Sequence, residues 1–237
     1  MLEPLFGDAR RYGVPLSEAQ SAQFAAYLRV LQDWQARVNL VGDAASDVVQ
    51  RRHFAESLAL GALLREREVL RPDARVLDVG AGAGFPGLPL RIAWPGLRLT
   101  LLEATAKKTA FLAAACEAIG CPDVTILTGR AETLGHDRAL RGQFDLVLAR
   151  AVAPLRSLAE LMLPFARVGG RAATPKGSRV TQELTEAQTA LAALGARAVT
   201  LPLPVSGAPQ TVVVMIKTAA TPAEYPRKDG VPRRSPL

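Results

Sequence analysis

The 237-residue chain is 49% hydrophobic and carries 29 Lys and Arg against 22 Asp and Glu, a net charge of +7. That length allows one large or two small domains around a substantial core, and the basic excess suits an anionic partner. No apolar run approaches the ~18 residues of a membrane span, the stretch from Met1 to Gly13 lacks the apolar segment of a secretory leader, and Cys116, Cys121, His53 and His136 make no metal-ligand spacing.

A soluble cytoplasmic chain with free, mostly buried thiols is therefore expected. Ser17 opens an amphipathic helix over 17–37, with Phe24, Tyr27, Leu28, Leu31 and Trp34 or Gln35 at helical spacing. A second helical region over 47–67 turns Phe54, Leu58, Leu60 and Leu64 inward. From Arg75 the period changes. Strands are expected at 75–79, 98–103, 123–127, 144–149, 171–175, 197–203 and 211–217. Helices are expected at 86–94, 106–119, 155–166 and 180–194. Such alternation builds a mainly parallel sheet covered on both faces, and the apolar run from Thr211 to Ile216 suits a central strand reached by a hairpin. The fold class is α/β, a Rossmann-like seven-stranded sheet with helices on both faces. Residues 1–70 read as an N-terminal helical extension, 71–217 as the Rossmann-like domain, and 218–237, rich in Pro and basic residues, as an extended tail. These parts carry net charges of −1, +6 and +2. The excess lies where a polyanionic substrate would need it, although an arginine-rich solubilising surface explains charge alone.

The segment Val76-Leu-Asp-Val-Gly-Ala-Gly-Ala-Gly-Phe-Pro-Gly87 is the most informative in the chain. Gly80, Gly82 and Gly84 follow a hydrophobic strand, and Pro86 opens the next helix. Glycines, which have no Cβ, let the loop turn tightly and bring its backbone close to a ligand, while proline's fixed φ suits a first helical turn. A nucleotide-like ligand at the carboxyl end of a parallel strand fits this loop; a tight turn with no ligand is the alternative. The dinucleotide fingerprint G-x-G-x-x-G would need glycine where Phe85 stands. The spacing D-x-G-x-G-x-G instead resembles the glycine loop of class I S-adenosylmethionine-dependent methyltransferases. Asp78 is then placed to hold the methionine ammonium, directly or through water.

Further candidates stand at the other strand ends. Glu103 ends the second strand, and its two carboxylate oxygens match the vicinal ribose hydroxyls; an acid favoured by the following helix dipole is the alternative. After the third strand, the N–H groups of Ala131 and Glu132 meet an adenine edge or belong to a plain loop. The fourth strand leads into Arg150, where a methyl group and its acceptor should meet. Arg150 could orient the cofactor carboxylate or a substrate phosphate, or donate to guanine O6, but not to N7, whose lone pair must attack carbon. The chain lacks the Asn/Asp-Pro-Pro-aromatic motif of exocyclic-amine methylation, a cysteine near the site for carbon-5 pyrimidine methylation, and a lysine-centred set for ribose methylation. Guanine N7 has an exposed lone pair and needs no base, so in-line placement, which can supply about 7–11 kcal/mol, could carry the reaction.

Asn39-Leu40, the run Arg52-His53-Phe54-Ala55-Glu56-Ser57-Leu58, the glycine loop through Phe85-Pro86-Gly87, Arg130-Ala131-Glu132, Arg150-Ala151, Lys176-Gly177 and the terminus from Tyr225 to Leu237 together resemble the bacterial 16S rRNA guanine-N7 methyltransferase family RsmG (GidB). The resemblance covers the chain from about residue 12 to the end. It implies methyl transfer from S-adenosyl-L-methionine, leaving S-adenosyl-L-homocysteine, to N7 of one guanine (family position guanine-527) in 16S rRNA. It also implies cofactor contacts at Gly80, Phe85, Glu103, Ala104, Thr105, Ala131, Glu132 and Arg150. Ala81 stands where the family often has serine, Glu56 where aspartate is usual, and Ala149 where serine often precedes Arg-Ala. The expected partner is 16S rRNA or the small-subunit particle, met by a monomer that needs no membrane and no metal. Arg51 and Arg52 suit RNA phosphates, and His53 between them and the apolar helix is either packed structure or part of the site. Lys176 reaches the substrate or merely precedes a turn. Tyr225, Arg227, Lys228, Arg233 and Arg234 suit RNA, with charges for phosphates and a ring for stacking; a disordered solubilising tail is the alternative. A small-molecule or protein methyltransferase, and an RNA-binding factor without chemistry, are the rival readings.

Overall fold

Strands β1 (Arg75–Val79), β2 (Arg98–Glu103), β3 (Thr125–Thr128), β4 (Phe144–Leu148), β5 (Ala166–Lys176), β6 (Ala196–Leu203) and β7 (Gln210–Lys217) form one sheet in a computed structural model that describes residues 2–150 and 153–237. Their order is β3-β2-β1-β4-β5-β7-β6. Strands β1 to β5 pair in parallel, and β7 inserts antiparallel between β5 and β6. The late apolar run is therefore an interior strand reached by a hairpin, as its composition suggests. Alternate residues face opposite sides of a strand. Val76, Leu99, Leu146, Val212 and Val214 enter one core, whereas Leu77, Val147, Val213 and Met215 enter the other. The strand order switches sides of the sheet between β1 and β4 while the strands stay parallel, which opens a crevice at their carboxyl ends.

Helices α1 (Glu3–Arg11), α2 (Glu18–Gln35), α4 (Glu56–Glu66), α5 (Gly87–Ala93) and α6 (Ala106–Ala118) share the first core, while the one-turn α3 (Ser46–Val48) buries no residue. The N-terminal helices thus pack onto the sheet through one continuous apolar interior. Ser17 caps α2 in a reciprocal pair with Gln20, at 3.2 and 2.9 Å, which satisfies two N–H groups the helix start leaves open. Phe24, Tyr27 and Leu31 are fully buried on its inner face, each contributing about 1.5–3 kcal/mol or more. The Tyr27 hydroxyl donates to the Ala83 carbonyl. A Cβ at Gly84, where φ is +86°, would stand 2.6 Å from that hydroxyl oxygen, so Gly84 lets α2 brace the glycine loop.

Helices α7 (Ala131–Leu134), α8 (Leu155–Met162), α9 (Val180–Ala193) and α10 (Val231–Arg234) complete the molecule. The expected helix over 155–166 stops at Met162, and β5 starts at Ala166, five residues before the expected 171. The region expected as one helix over 47–67 is broken in character. A π-helical segment, Val49–Ala55, lies between α3 and α4. Helix α1 was not expected, because only Leu5, Asp8 and Ala9 of its nine residues are buried.

The expectation of an extended tail is overturned. The Arg141 guanidinium donates to the carbonyls of Thr221, Pro222 and Tyr225 at 2.8–2.9 Å, and His136 bonds the Pro226 carbonyl at 2.7 Å. Arg227 grips the fully buried Glu160 at 2.7–3.2 Å. Backbone carbonyls and a buried acid hold the segment against α7 and α8, so it forms part of the folded body. Among the described residues no helix is long and apolar enough to cross a membrane. Cys116 and Cys121 are free and buried, and burial pushes the Cys116 thiol up to about 12.

Candidate active site

A cavity of about 500 Å³ opens at the carboxyl ends of β1, β2 and β3, a size suited to a small-molecule ligand. Gly80, Gly82 and Phe85 line it from the loop, Glu103, Ala104 and Thr105 from the end of β2, Ala131 and Glu132 from α7, and Arg150 from the end of β4. Gly80 and Gly82 take φ of +68° and +56°, conformations that glycine adopts without strain. A Cβ on Gly82 would meet only the Gly80 carbonyl, at 3.8 Å, so at this position the loop needs the glycine for its φ rather than for packing.

Glu103 ties this floor together. One carboxylate oxygen accepts from Gly82 N–H at 3.0 Å and the other from Thr105 N–H at 2.9 Å. A carboxylate has about four acceptor positions, so both oxygens retain lone pairs on the cavity side. At the start of α7, Arg130 provides no side-chain cap, and the first N–H groups of a helix have no partner within it. A carboxylate with open N–H groups on the β3 side and the glycine loop on the β1 side fits the ribose and adenine of S-adenosylmethionine.

Asp78 and Gly84 do not line the cavity. Gly84 faces α2. Asp78 is fully buried behind the loop, where its Oδ2 accepts from Gly87 N–H at 2.8 Å and its Oδ1 has no partner among the described residues. Burial lifts this carboxyl to about 7. In this geometry Asp78 secures the loop rather than presenting an oxygen at the cavity wall, because its side chain turns toward α5.

A second cavity of about 840 Å³ adjoins the first and is lined by Arg52, His53, Glu56, Arg150, Lys176 and Gln210, among others. His53 and Arg150 line both. The Arg150 guanidinium donates to the Arg52 carbonyl at 3.1 Å and to His53 Nδ1, and stands 3.7 Å from the Glu56 carboxylate. His53 stacks on Phe85, with centroids 4.9 Å apart and planes 11° apart, and Arg150 lies 5.6 Å from the same ring. Burial, helped by Arg150 and Arg52, lowers the His53 imidazole to about 4. It is neutral near pH 7, with Nδ1 accepting and the hydrogen on Nε2. The π segment brings His53 and the Arg52 carbonyl to this wall, and such wide turns often mark functional sites. Ala151, which follows Arg150 in the chain, lies outside the described residues.

The residues expected to meet RNA separate into two groups. Lys176 is held by Glu183 at 2.9 Å and by the Ala153 carbonyl at 2.8 Å, Arg51 pairs with Asp8 at 3.6 Å, Arg227 serves Glu160, and Tyr225 packs half-buried on the second core. Arg52, Lys228, Arg233 and Arg234 are exposed, and Arg233 reaches the wall of the first cavity. The tail also touches that cavity through Glu132, whose carboxylate accepts from Gly230 N–H at 3.0 Å. Lys108 and Gln210 line the two cavities but carry no signal in the sequence, since both lie within ordinary helix or strand patterns.

The family model for rRNA small subunit methyltransferase G (GidB) matches residues 20–212. A ribosomal RNA small subunit methyltransferase G of Roseiflexus sp. (strain RS-1) is 43% identical over the full length of both chains. Its counterpart in Chloroflexus aggregans (strain MD-66 / DSM 9485) is 44% identical over 95% of this chain and 94% of its own. Among solved structures, the O-methyltransferase from Bacillus cereus in complex with SAH has a TM-score of 0.56 at 17% identity, over 92% of this chain and 100% of that one. At that identity the likeness concerns the fold, which is that of Rossmann-like methyltransferases. With a family model spanning most of the chain and relatives similar from end to end, the chain belongs to the rRNA small subunit methyltransferase G family.

Proposed function

We propose that this chain methylates N7 of a single guanine, family position guanine-527, in 16S rRNA, using S-adenosylmethionine. The observation that carries the reading is the shared wall: the cavity lined by Gly80, Glu103 and Ala131 and a larger one lined by Arg52, Glu56 and Lys176 meet at Arg150 and His53. The names of the full-length relatives support ribosomal RNA as the substrate. When bound, S-adenosylmethionine supplies an activated methyl group on a sulfonium centre.

The chain's own residues do the rest. Gly80, Gly82 and Phe85 cradle the ligand, Glu103 accepts from the ribose hydroxyls, and the N–H groups of Ala131 and Glu132 meet the adenine edge. Asp78 and Gly84 act through the loop, by holding it to α5 and α2. Arg150 is aimed by His53 and the Arg52 carbonyl, so it can donate to guanine O6 and leave the N7 lone pair free. A neutral His53 adds no cation beside a sulfonium. No side chain needs to remove a proton from N7 before attack, and correct placement can supply about 7–11 kcal/mol of the barrier.

The test is incubation with methyl-labelled S-adenosylmethionine and unmodified small-subunit rRNA, naked and assembled with ribosomal proteins. Label at N7 of one guanine is the expected result, and the better substrate reveals the assembly stage. Label on another atom, or none on either RNA while the cofactor binds, would overturn the reading.

A further inference from the structure

We propose that Arg150 and Glu56 read the target base as a pair, Arg150 donating to guanine O6 and Glu56 accepting from N1–H and the 2-amino group. The inference rests on the guanine-N7 reading and deepens it, by naming the residue that sets base specificity.

The order of the groups carries the argument. Arg150 lines both cavities, whereas Glu56 lines only the second. Moving away from the cofactor cavity, the wall therefore offers a donor and then an acceptor, 3.7 Å apart. Guanine has the complementary order from N7 outward: the O6 acceptor, then the N1–H and 2-amino donors. Adenine reverses it, with a 6-amino donor followed by the N1 acceptor. Its donor would face the guanidinium and its acceptor the carboxylate, leaving both charged groups unsatisfied, which is how a polar site rejects a near-isostere. The Arg52 carbonyl and His53 Nδ1 take up part of Arg150's donor set, and a guanidinium has five N–H donors.

A helix-start role does not account for Glu56. The helical path runs unbroken from Ser46 through the π segment into α4, so Glu56 meets no open helix terminus. Its side chain is only 19% exposed, and it is turned toward Arg150 in a cavity that also holds Arg52 and Gln210.

The test compares rRNA carrying guanine at the target with the same RNA carrying inosine there, which keeps N7, O6 and N1–H but lacks the 2-amino group. For the wild-type enzyme, kcat/KM should fall roughly tenfold or more with inosine, the usual effect of losing a hydrogen bond to a charged group. In Glu56→Gln, activity on guanine should fall by a similar factor and the guanine-to-inosine ratio should shrink to within about twofold. Cofactor affinity, measured by calorimetry on the variant, reports that the fold and first cavity persist. A wild-type enzyme indifferent to inosine would overturn the pairing. So would a Glu56→Gln enzyme that loses activity on both RNAs equally, because Glu56 would then only position Arg150. Failure of the wild-type enzyme on guanine RNA would instead overturn the proposed reaction itself.

Discussion

Burial lowers the His53 imidazole to about 4 and lifts the Asp78 carboxyl to about 7, so these two groups act oppositely on stability. Between pH 4 and 6.5 the unfolded chain binds a proton on His53 that the native state does not, and stability rises with pH. Across pH 4 to 7 the native state keeps a proton on Asp78 that the unfolded chain has released, and stability falls with pH. At 1.36 kcal/mol per pH unit the terms reach about 3 and about 4 kcal/mol, so they largely offset below pH 6.5. Single variants separate them. The stability of wild type minus that of His53→Gln should rise from about pH 4 to 6.5, and the same difference for Asp78→Asn should fall from about pH 4 to 7. Thermal melts at a series of pH values read both, and difference curves of the same sign would refute the burial argument. Asp78→Asn also tests the loop, since an amide oxygen can still accept from Gly87 N–H.

At the scale of elements, the tail is tied to the body by a charge pair with one fully buried member, Glu160. Arg227→Ala leaves that acid buried and unpaired, at a cost of roughly 3 kcal/mol, the lower end for a broken buried pair because Arg227 is partly exposed. A loss of about 6–12 °C in Tm is expected. Affinity for S-adenosylmethionine should fall with it, because Gly230 and Arg233 leave Glu132 and the cavity wall. Calorimetry that gives an unchanged Kd would show that the tail does not support the cavity. This tether was not legible in the sequence. Arg227 and Glu160 are 67 positions apart, and a basic, proline-rich segment reads as solvated when its acid partner cannot be seen. Helix α2 and the strands were legible, because Phe24, Tyr27 and Leu31 and the alternating valines report burial through their spacing alone. Helix α1 was not, since Leu5 and Ala9 are too few to set a period. The π segment left no signal either, because its widened turn is set by packing rather than by residue type. At the site, the loop, Glu103 and Arg150 stood out as motif residues. The inward turn of Asp78 and the contact of Glu56 with Arg150 depend on side-chain direction, which spacing does not encode.

For the whole molecule, net charge is a weaker guide than its distribution after pairing. The chain is +7, yet Glu160, Glu183 and Asp8 pair with Arg227, Lys176 and Arg51. Of the residues expected to meet RNA, Arg52, Lys228, Arg233 and Arg234 are exposed and, unlike the equally exposed Arg51, form no salt bridge among the described residues, so these four should provide the phosphate contacts. Each contact to a single strand adds about 0.7 to the slope of log affinity against log salt. Four contacts then weaken binding roughly 50-fold between 50 and 200 mM salt. Replacing Lys228 and Arg234 with alanine should lower the slope by about 1.4. Lys176→Met should leave the slope unchanged, because Glu183 already neutralises that charge. Binding titrations across salt concentrations separate the two cases. A slope that falls for Lys176→Met but not for the Lys228 and Arg234 pair would mean that the ion pair opens on RNA and that the phosphate-binding face includes Lys176 itself.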